Sequence, residues 1–282
     1  MKIKIIDNIG DFPQFEALNV FQMVEWMRLF EHEKGTKVVL FALYSDSSLL
    51  LVQPLTITRY YRHLPGKFAS YAVAWREPWR AADIADEEAI VAFRLLTSEI
   101  EKYCKKRALY IEYRHLCQCT MHNAQCTIFD SYKKLPWYNI YREFEAGEDI
   151  AEQMKRDKRR QLKQSFEAGV EVILEPTREQ IEEWYGLLKR LYRRIHRPLP
   201  SVDVFLRLNK SGIGRVFVVM YRGRVISGNA MLFHSSSLTP NSPLFYDWYR
   251  ASVDERCNEP QKLNTKLLGF VICIRNILLK ND

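Results

Sequence analysis

Two apolar stretches, each interrupted by one tight turn, do most to limit the folds open to this chain. Residues 37–44 and 49–57 flank the sequence Ser-Asp-Ser-Ser, and residues 215–221 and 225–233 flank Arg-Gly. Apolar runs of this length around turn residues predict antiparallel hairpins. Strand and helix patterns precede each hairpin, so one order of elements occurs twice. The chain is therefore predicted to be an α/β (α+β) protein with two similar units, each a mostly antiparallel mixed sheet flanked by helices.

The periodicity of apolar residues predicts the other elements. No residue-level repeat relates the two units. Gly147 and Glu148 mark the predicted boundary, which gives an N-terminal unit of residues 1–147 and a C-terminal unit of residues 148–282. Residues 68–78 are aromatic and are predicted to be irregular. The predicted helices are residues 20–34, 86–107, 178–195, 202–209 and 263–279, and the further strands are residues 2–6, 109–113, 138–144, 170–174 and 244–250.

Charge and hydropathy limit the partners and the compartment. The 282 residues carry a formal net charge of +8, which favours anionic partners such as nucleic acid, phosphorylated cofactors or a membrane face. The N-terminus does not resemble a signal peptide, and no apolar run approaches the roughly 18 residues of a transmembrane helix. The protein is therefore expected to be cytoplasmic, where its six cysteines would be free thiols.

The positive charge is concentrated in residues 155–172, KRDKRRQLKQSFEAGVEV. On a helix, Arg156, Arg160 and Lys163 share one narrow sector. Leu162 and Phe166 lie on the opposite side. One side is thus suited to packing on a core and the other to binding an anion. Gly169 is the residue type that ends a helix, and a strand follows it. A lone run of charges is usually a solvated helix face, but the residues that follow this one favour a function.

A group of histidines and cysteines is spaced somewhat like a metal site. Its Cys-x-Cys pair is tighter than the two to four intervening residues of ordinary zinc hooks. A cysteine-rich loop is therefore the favoured interpretation, and no metal is predicted. The group consists of His115, Cys117, Cys119, His122 and Cys126.

Several segments, taken in order, resemble the GNAT superfamily of acyltransferases. More narrowly, they resemble its Fem-type, or BioF2-like, branch, which is linked to peptidoglycan bridges and envelope polysaccharides. The segments are the basic run given above, RPLPS at 197–201, YRGRVISGNAMLF at 221–233, YDWYRAS at 246–252 and the early VFQMVEWMRLFE at 20–31.

This resemblance implies two GNAT-like halves and the transfer of an acyl or aminoacyl group to an amine. The donor would be acyl-CoA or aminoacyl-tRNA, and the anionic partner would be CoA, tRNA or a lipid-linked envelope precursor. Such a reaction needs a base for the proton of the amine and a hydrogen-bond donor for the developing oxyanion. It also needs cations or a helix N-terminus for the phosphates of the donor.

The strand at residues 244–250 is the predicted position of the base. Alternation along a strand places Phe245, Asp247 and Tyr249 on one face and the residues between them on the other. Desolvation among aromatic rings would raise the pKa of Asp247 and suit it to act as a base near neutral pH. Tyr246 or Tyr249 could then serve as an acid toward the leaving group. The alternative is that Asp247 faces solvent at a sheet edge.

Further residues are candidates for binding the substrates. Gly228 interrupts a strand and indicates either a bulge or close approach of the backbone to a ligand, and Asn229 could donate to an acyl carbonyl. For His196, two residues before Pro198, a position at a helix end is favoured over catalysis. The glycines of residues 211–214 follow a predicted helix and are interpreted as its end. The cations suited to phosphate are Arg156, Arg159 and Arg160, with Tyr192, Arg193 and His196 as an extension of the patch.

The resemblance stops after Glu255. A GNAT half continues with a helix that holds the pyrophosphate of the donor and with two closing strands, whereas residues 256–264 lack a glycine-rich turn and residues 267–279 lead to the last residue. We therefore expect an incomplete C-terminal half, through truncation or a frame shift, with donor binding and activity in question. The alternative functions are a non-catalytic GNAT-fold module that binds an anionic ligand or RNA, and plain nucleic-acid binding, for which no recognised motif is present.

Overall fold

The chain divides into two compact units, Met1–Ile140 and Tyr141–Asp282, each with its own sheet. The computed structural model describes residues 1–60, 64, 66–114, 132–133, 135, 152, 154–234 and 244–253. The predicted mixed α/β fold, with two sheets flanked by helices, is confirmed. The predicted boundary at Gly147, the strand at residues 138–144 and the helix at residues 263–279 lie outside the described residues.

As far as it is described, the sheet of the first unit has six strands, β1 (Lys2–Ile6), β2 (Thr36–Ser45), β3 (Ser48–Arg59), β4 (Ser70–Trp75), β5 (Trp79–Arg80) and β6 (Ile111–Arg114). Their order is β1-β2-β3-β4-β6, with β5 paired to β3. The paired strands are antiparallel except for β4 and β6, which are parallel. The predicted β2–β3 hairpin is confirmed, and it turns at Asp46 with φ 51°, a left-handed conformation that aspartate tolerates.

The described part of this unit has three α-helices: α1 (Val24–Arg28), α2 (Gly66–Ala69) and α3 (Asp86–Cys104). Helix α3 begins with three acidic residues, which the partial positive charge of a helix N-terminus stabilises. It packs on one face of the sheet, and a second aromatic core covers the other face, where the rings of Phe21 and Trp75 stack with centroids 5.3 Å apart. The core under α3 includes Phe41, Leu55, Ala74, Phe93, Leu96 and Ile100.

The described sheet of the second unit is antiparallel, with strands β7 (Val170–Ile173), β8 (Gly214–Tyr221), β9 (Arg224–His234) and β10 (Leu244–Ser252). Their order is β10-β9-β8-β7. Arg222 and Gly223 connect β8 to β9 with φ 50° and 72°. Two consecutive positive φ angles match the type I′ turn, whose twist suits the flanking strands. The tight turn predicted from the sequence is confirmed.

Among the described residues, three helices flank this second sheet: α4 (Arg156–Glu167), α5 (Arg178–Arg194) and α6 (Val202–Leu208). Helices α5 and α6 pack on one face, where Trp184 of α5 lies against Gly228; we call this the α5 face. Helix α4 packs on the opposite face, where Leu162 joins Val170 and Val219; we call this the α4 face. Gly169, with φ 88°, follows the end of α4 as predicted.

The prediction of a single helix at residues 20–34 is wrong. The chain forms a 3₁₀ turn at Val20–Gln22 and then the short helix α1, with Met23 extended between them. Side chains compete with the helix here, because Asn19 accepts from the N–H of Phe21 and Gln22 accepts from the N–H of Leu18.

The prediction that residues 68–78 are irregular is also wrong, since most of this segment is strand β4. This strand lies between β3 and β6 and is covered on both faces, so its sequence lacks the alternation of a half-exposed strand. Helix α3 ends at Cys104 and not at residue 107, because the N–H of Arg107 donates to the carbonyl of Cys104 in a tight final turn.

Two adjacent leucines of α3 provide a matched test of the core. Leu96 is fully buried, whereas Leu95 is 46% exposed. We expect Leu96→Ala to lower the free energy of unfolding by about 2–5 kcal/mol through lost burial and a residual cavity. Leu95→Ala should change it by less than about 0.5 kcal/mol. Urea denaturation measures both, and equal effects would contradict the described packing of α3.

Candidate active site

Strand β10 has a bulge that separates Asp247 from Tyr249. Asp247 pairs with Met231 of β9 and Tyr249 pairs with Ala230, the adjacent residue of β9, so Trp248 is an extra residue between them. An extra residue shifts the alternation of side chains by one position. Tyr249 therefore lies on the α5 face, and the prediction that it shares a face with Asp247 is wrong.

Aromatic rings on the α5 face accompany this bulge. The ring centroid of Phe205 lies 6.1 Å from that of Trp248 and 5.2 Å from that of Tyr249. Tyr192 of α5 lies 5.5 Å from Tyr249 by the same measure. Tyr246 pairs with Leu232 and also belongs to the α5 face. The structure therefore does not bring the two predicted acids, Tyr246 and Tyr249, to the face of Asp247.

Asp247 lies on the α4 face among apolar neighbours and one cation. Met231, its partner across the ladder, packs on Phe217 of β8, and Phe245 of β10 packs on the same pair. The guanidinium of Arg250, a residue that the sequence pattern did not indicate, forms an ion pair with the carboxylate. Both side chains are 35% exposed, so solvent reaches the pair.

Burial raises the pKa of Asp247 above its ordinary value, because water that would stabilise the carboxylate is excluded. The positive charge of Arg250 and a polar interaction with Asn229 both lower this pKa, but burial is the largest influence. The rise expected from the sequence is therefore present. A carboxylate with a raised pKa is a better base than an ordinary aspartate.

Asn229 is buried on the α4 face beside this carboxylate, with 3% of its surface exposed. It lies opposite Arg250 in the β9–β10 ladder. Neither atom of its amide makes a hydrogen bond of ordinary geometry with a described residue, although the amide is close enough to Asp247 to affect its pKa. An unsatisfied buried polar group costs about 1–3 kcal/mol. A polar ligand group at this position would find both a donor and an acceptor.

Gly228 is required for packing on the α5 face. A Cβ at this position would lie 2.5 Å from Cδ1 of Trp184 and 2.9 Å from the carbonyl oxygen of Phe217, well inside normal contact distances. The pairing of Gly228 with Val218 and Ala251 is regular, so the bulge suggested for this glycine is not at Gly228. Contact of Gly228 with a ligand stays a prediction.

Helix α4 exposes its cations. Arg156, Arg159 and Arg160 are all exposed, and Arg160 lies 3.8 Å from Asp157, a weak pair at the helix surface. Among the described residues, no carboxylate forms an ion pair with Arg156 or Arg159. Helix α4 packs on the face of the sheet that also carries Asp247.

The buried side of α4 is narrower than predicted. Leu162 packs on the sheet, and Ser165 is fully buried, with its hydroxyl donating to the carbonyl of Gln161 at 2.9 Å. Leu162 and Ser165 are three residues apart and therefore share one side of the helix. Phe166 lies beside that side and not on it. Phe166 is 42% exposed, and its predicted place in the core is wrong.

From the sequence, Tyr192, Arg193 and His196 are predicted to extend the arginine patch of α4. The structure does not place these three residues near α4. These residues belong to α5 and its end, on the opposite face of the sheet. His196 takes φ 51°, and the N–H groups of His196 and Arg197 donate to the carbonyls of Arg193 and Tyr192. This is the Schellman arrangement that ends a helix, so the helix-end interpretation of His196 is confirmed.

Gly212, with φ 78°, lies in the turn between α6 and β8, as predicted. Cys104 is a buried free thiol whose pKa burial raises to about 11.

Within the described part of the chain, no three metal-ligating side chains cluster. The histidine and cysteine group at residues 115–126 lies outside it. No described helix has the length and apolar content needed to cross a bilayer.

Comparisons with known proteins address the fold. No protein-family model and no curated protein matches the sequence. The structure is similar to the crystal structure of FemX, with a TM-score of 0.59 and 13% identity, over 100% of this chain and 86% of that one. It is also similar to a tandem GNAT protein from the clavulanic acid biosynthesis pathway, with a TM-score of 0.53 and 9% identity, over 98% of this chain and 86% of that one.

The chain has a GNAT-like fold. Its two sheets with flanking helices are the two GNAT-like halves that the sequence resemblance implied. Identities this low establish the fold alone, so chemistry has to be argued from the residues of the site.

Two glycines of the second unit test the packing of Trp184. We expect Gly228→Ala to destabilise the protein by about 1–3 kcal/mol, since the added methyl group displaces the indole or the strand. Gly186 lies inside α5, where a Cβ meets nothing within 4 Å. Gly186→Ala should therefore stabilise the protein by about 0.5–1 kcal/mol through helix propensity. Thermal unfolding measures both changes, and a neutral Gly228→Ala would contradict the contact.

The ion pair at Asp247 is tested by titration. We expect Arg250→Gln to raise the pKa of Asp247 further, because the cation that stabilises the carboxylate is lost while burial remains. Arg215 is the matched control, since it lies on the same face opposite Met231 but pairs with Glu175 at 3.4 Å. Arg215→Gln should leave the pKa unchanged. Carbon NMR of labelled aspartate gives both values, and a fall in the Arg250→Gln variant would overturn the assignment.

Proposed function

We propose that this chain is an acyltransferase of the Fem-type, or BioF2-like, branch of GNAT proteins. It moves an acyl or aminoacyl group from acyl-CoA or aminoacyl-tRNA to an amine in cell-envelope biosynthesis. The observation that carries the proposal is Asp247, an accessible carboxylate with a raised pKa on a GNAT-like sheet face that also bears a basic helix. The envelope role rests on the sequence resemblance.

Asp247 acts as the general base. The amine nitrogen attacks the carbonyl carbon of the donor, and Asp247 accepts the proton that the nitrogen loses as the C–N bond forms. The bond to the CoA sulfur or to the tRNA ribose oxygen then breaks, and the leaving atom takes up the proton that Asp247 accepted, which returns Asp247 to the carboxylate. Arg250 favours the ionised form of the carboxylate, while burial makes it more basic than an ordinary aspartate.

Asn229 supplies the polar contact to the acyl carbonyl. Its buried amide is adjacent to Asp247 on the same face, and its N–H₂ group can donate to the oxygen on which charge develops. A donor already fixed by burial needs no reorganisation during the reaction. Removal of one such donor costs roughly 10²–10³ in rate in other enzymes.

The exposed arginines of α4 bind the phosphates of the donor. Guanidinium groups bind phosphate with two parallel hydrogen bonds, and Arg156, Arg159 and Arg160 are exposed for such contacts. Tyr246 and Tyr249 would meet a ligand only at the other face of β10, the last strand in the described order. The proposed site therefore consists of Asp247, Arg250 and Asn229 with the arginines of α4.

A non-catalytic module that binds an anionic ligand or RNA is the second candidate. It is favoured by the exposed cations of α4 together with the position of both tyrosines on the face opposite Asp247. Binding that depends on phosphate contacts weakens steeply as salt rises. A catalytic site depends on Asp247, whereas an RNA-binding surface does not, and this difference separates the two candidates.

The decisive measurement is the transfer of radiolabelled acyl groups to amine acceptors, with acetyl-CoA and aminoacyl-tRNA as donors. We expect Asp247→Asn to lower kcat by about 10²–10⁴, the usual contribution of a general base. In the unsubstituted protein, kcat/KM should fall as the pH drops through the raised pKa of Asp247, because only the carboxylate accepts a proton.

Glu171→Gln is the matched control. Glu171 lies on β7 of the same sheet but pairs with Met220, which contacts Gln180 of α5, so its side chain belongs to the opposite face. Its loss should leave kcat unchanged. Equal activity of Asp247→Asn and the unsubstituted protein would refute the assignment of the base. Salt-sensitive tRNA binding without transfer from either donor would favour the binding module.

A further inference from the structure

Exposed apolar side chains gather where strands β4 and β6 of the first sheet begin, a region we call the β4–β6 edge. Because these strands are parallel, they begin side by side, and the connecting helix α3 ends at the same place. The N–H of Leu109 donates to the carbonyl of Ser70 at 2.8 Å, which joins the two segments. Phe68 is 57% exposed, Leu109 is 59% exposed and Tyr110 is 50% exposed.

These side chains form a patch and are not scattered. Phe68 lies two residues before Ser70, whose carbonyl accepts from Leu109, and Tyr110 stacks on Tyr71 with ring centroids 5.7 Å apart. A single exposed apolar residue is ordinary on a protein surface. Adjacent large ones from two chain segments are the usual sign of an interaction site.

Cations surround the patch. The ammonium of Lys67 lies 6.0 Å from the ring centroid of Phe68, and the guanidinium of Arg107 lies 3.9 Å from that of Tyr103. Lys105 and Lys106, between α3 and Leu109, are exposed and pair with no described carboxylate. The end of α3 has two carboxylates, Glu99, which pairs with Lys102, and Glu101, which accepts a hydrogen bond from Tyr132, and they are outnumbered by the cations. The edge is therefore basic as well as apolar.

This combination matches the surface of an anionic bilayer better than it matches RNA. Leu109 has no ring on which a base can stack, whereas aliphatic and aromatic side chains both enter the boundary between headgroups and acyl chains. Tyr110 has the amphipathic ring that is enriched at this boundary. Lys67, Lys105 and Lys106 would lie at the level of the headgroup phosphates, where each basic residue adds to binding.

We propose that the β4–β6 edge docks the first unit on a membrane surface rich in anionic lipid. Phe68, Leu109 and Tyr110 enter the headgroup region, and Lys67, Lys105 and Lys106 contact lipid phosphates. The inference concerns peripheral binding through one edge of a sheet. It is independent of the acyl-transfer site, because every residue named here belongs to the first unit.

Co-sedimentation of the full chain with vesicles tests the proposal. The vesicles contain either phosphatidylcholine alone or phosphatidylcholine with one third phosphatidylglycerol. The unsubstituted protein should bind the anionic vesicles, and added salt should weaken that binding. The double variants Lys105→Gln/Lys106→Gln and Phe68→Ser/Leu109→Ser should each lower the partition coefficient about tenfold or more.

Two double variants serve as matched controls. Val91→Ser/Leu95→Ser removes apolar residues that are 52% and 46% exposed elsewhere on α3. Arg222→Gln/Arg224→Gln removes two exposed cations at the β8–β9 turn of the second unit. Both should bind anionic vesicles like the unsubstituted protein. Circular dichroism checks that every variant is folded.

Several outcomes would overturn the proposal. They are failure of the unsubstituted protein to bind anionic vesicles, unchanged binding by both edge variants, and equal losses in the control variants. Binding of tRNA, measured in parallel, separates a nucleic-acid surface from a lipid surface. Equal loss of tRNA and vesicle binding in the lysine variant, with no effect of Phe68→Ser/Leu109→Ser, would show that the edge binds RNA instead.

Discussion

The packing of Trp184 against the backbone of β9 is the constraint on which the second unit depends. The indole occupies the space that a side chain at residue 228 would fill, so helix α5 lies close to the sheet. Phe205 contacts the indole edge-on, with ring centroids 5.2 Å apart. The ring of Phe205 also contacts the rings of Trp248 and Tyr249. Two consecutive residues of β10 can turn to one face only where the ladder is interrupted. The bulge in β10 lets Trp248 and Tyr249 both contact Phe205 while Asp247 stays on the opposite face.

The two faces of the second sheet have different character in consequence. The α5 face is closed by rings that fill space and stabilise the unit. The α4 face carries the ion pair of Asp247 and Arg250 and the buried amide of Asn229, which makes no hydrogen bond of ordinary geometry with a described residue. Folded proteins tend to tolerate such imperfectly satisfied polar groups where ligands bind. The contrast between the faces is the main reason to place chemistry on the α4 face.

The elements that the sequence predicted well are those that local chemistry decides. The β8–β9 turn follows from Arg222-Gly223, and the end of α4 follows from Gly169, because few residues adopt positive φ at low cost. The face of Tyr249 could not be predicted, since Phe205, more than 40 positions earlier, helps to decide it. Arg250 was missed for the same reason. Strict alternation made Asp247 and Tyr249 neighbours, whereas the bulge makes Arg250 the neighbour of Asp247.

The parallel pairing of β4 with β6 has a consequence for the order in which the first unit assembles. The β2–β3 hairpin closes a very short loop and can form within microseconds, whereas β6 must wait until the whole of α3 has been placed. Closing a long loop loses chain entropy before any contact compensates for it. Strand β6, which completes the edge bearing Leu109 and Tyr110, therefore joins after the β2–β3 hairpin has formed. Until it joins, the flank of β4 has unpaired backbone groups, and a newly made chain is most exposed to intermolecular strand pairing during that interval.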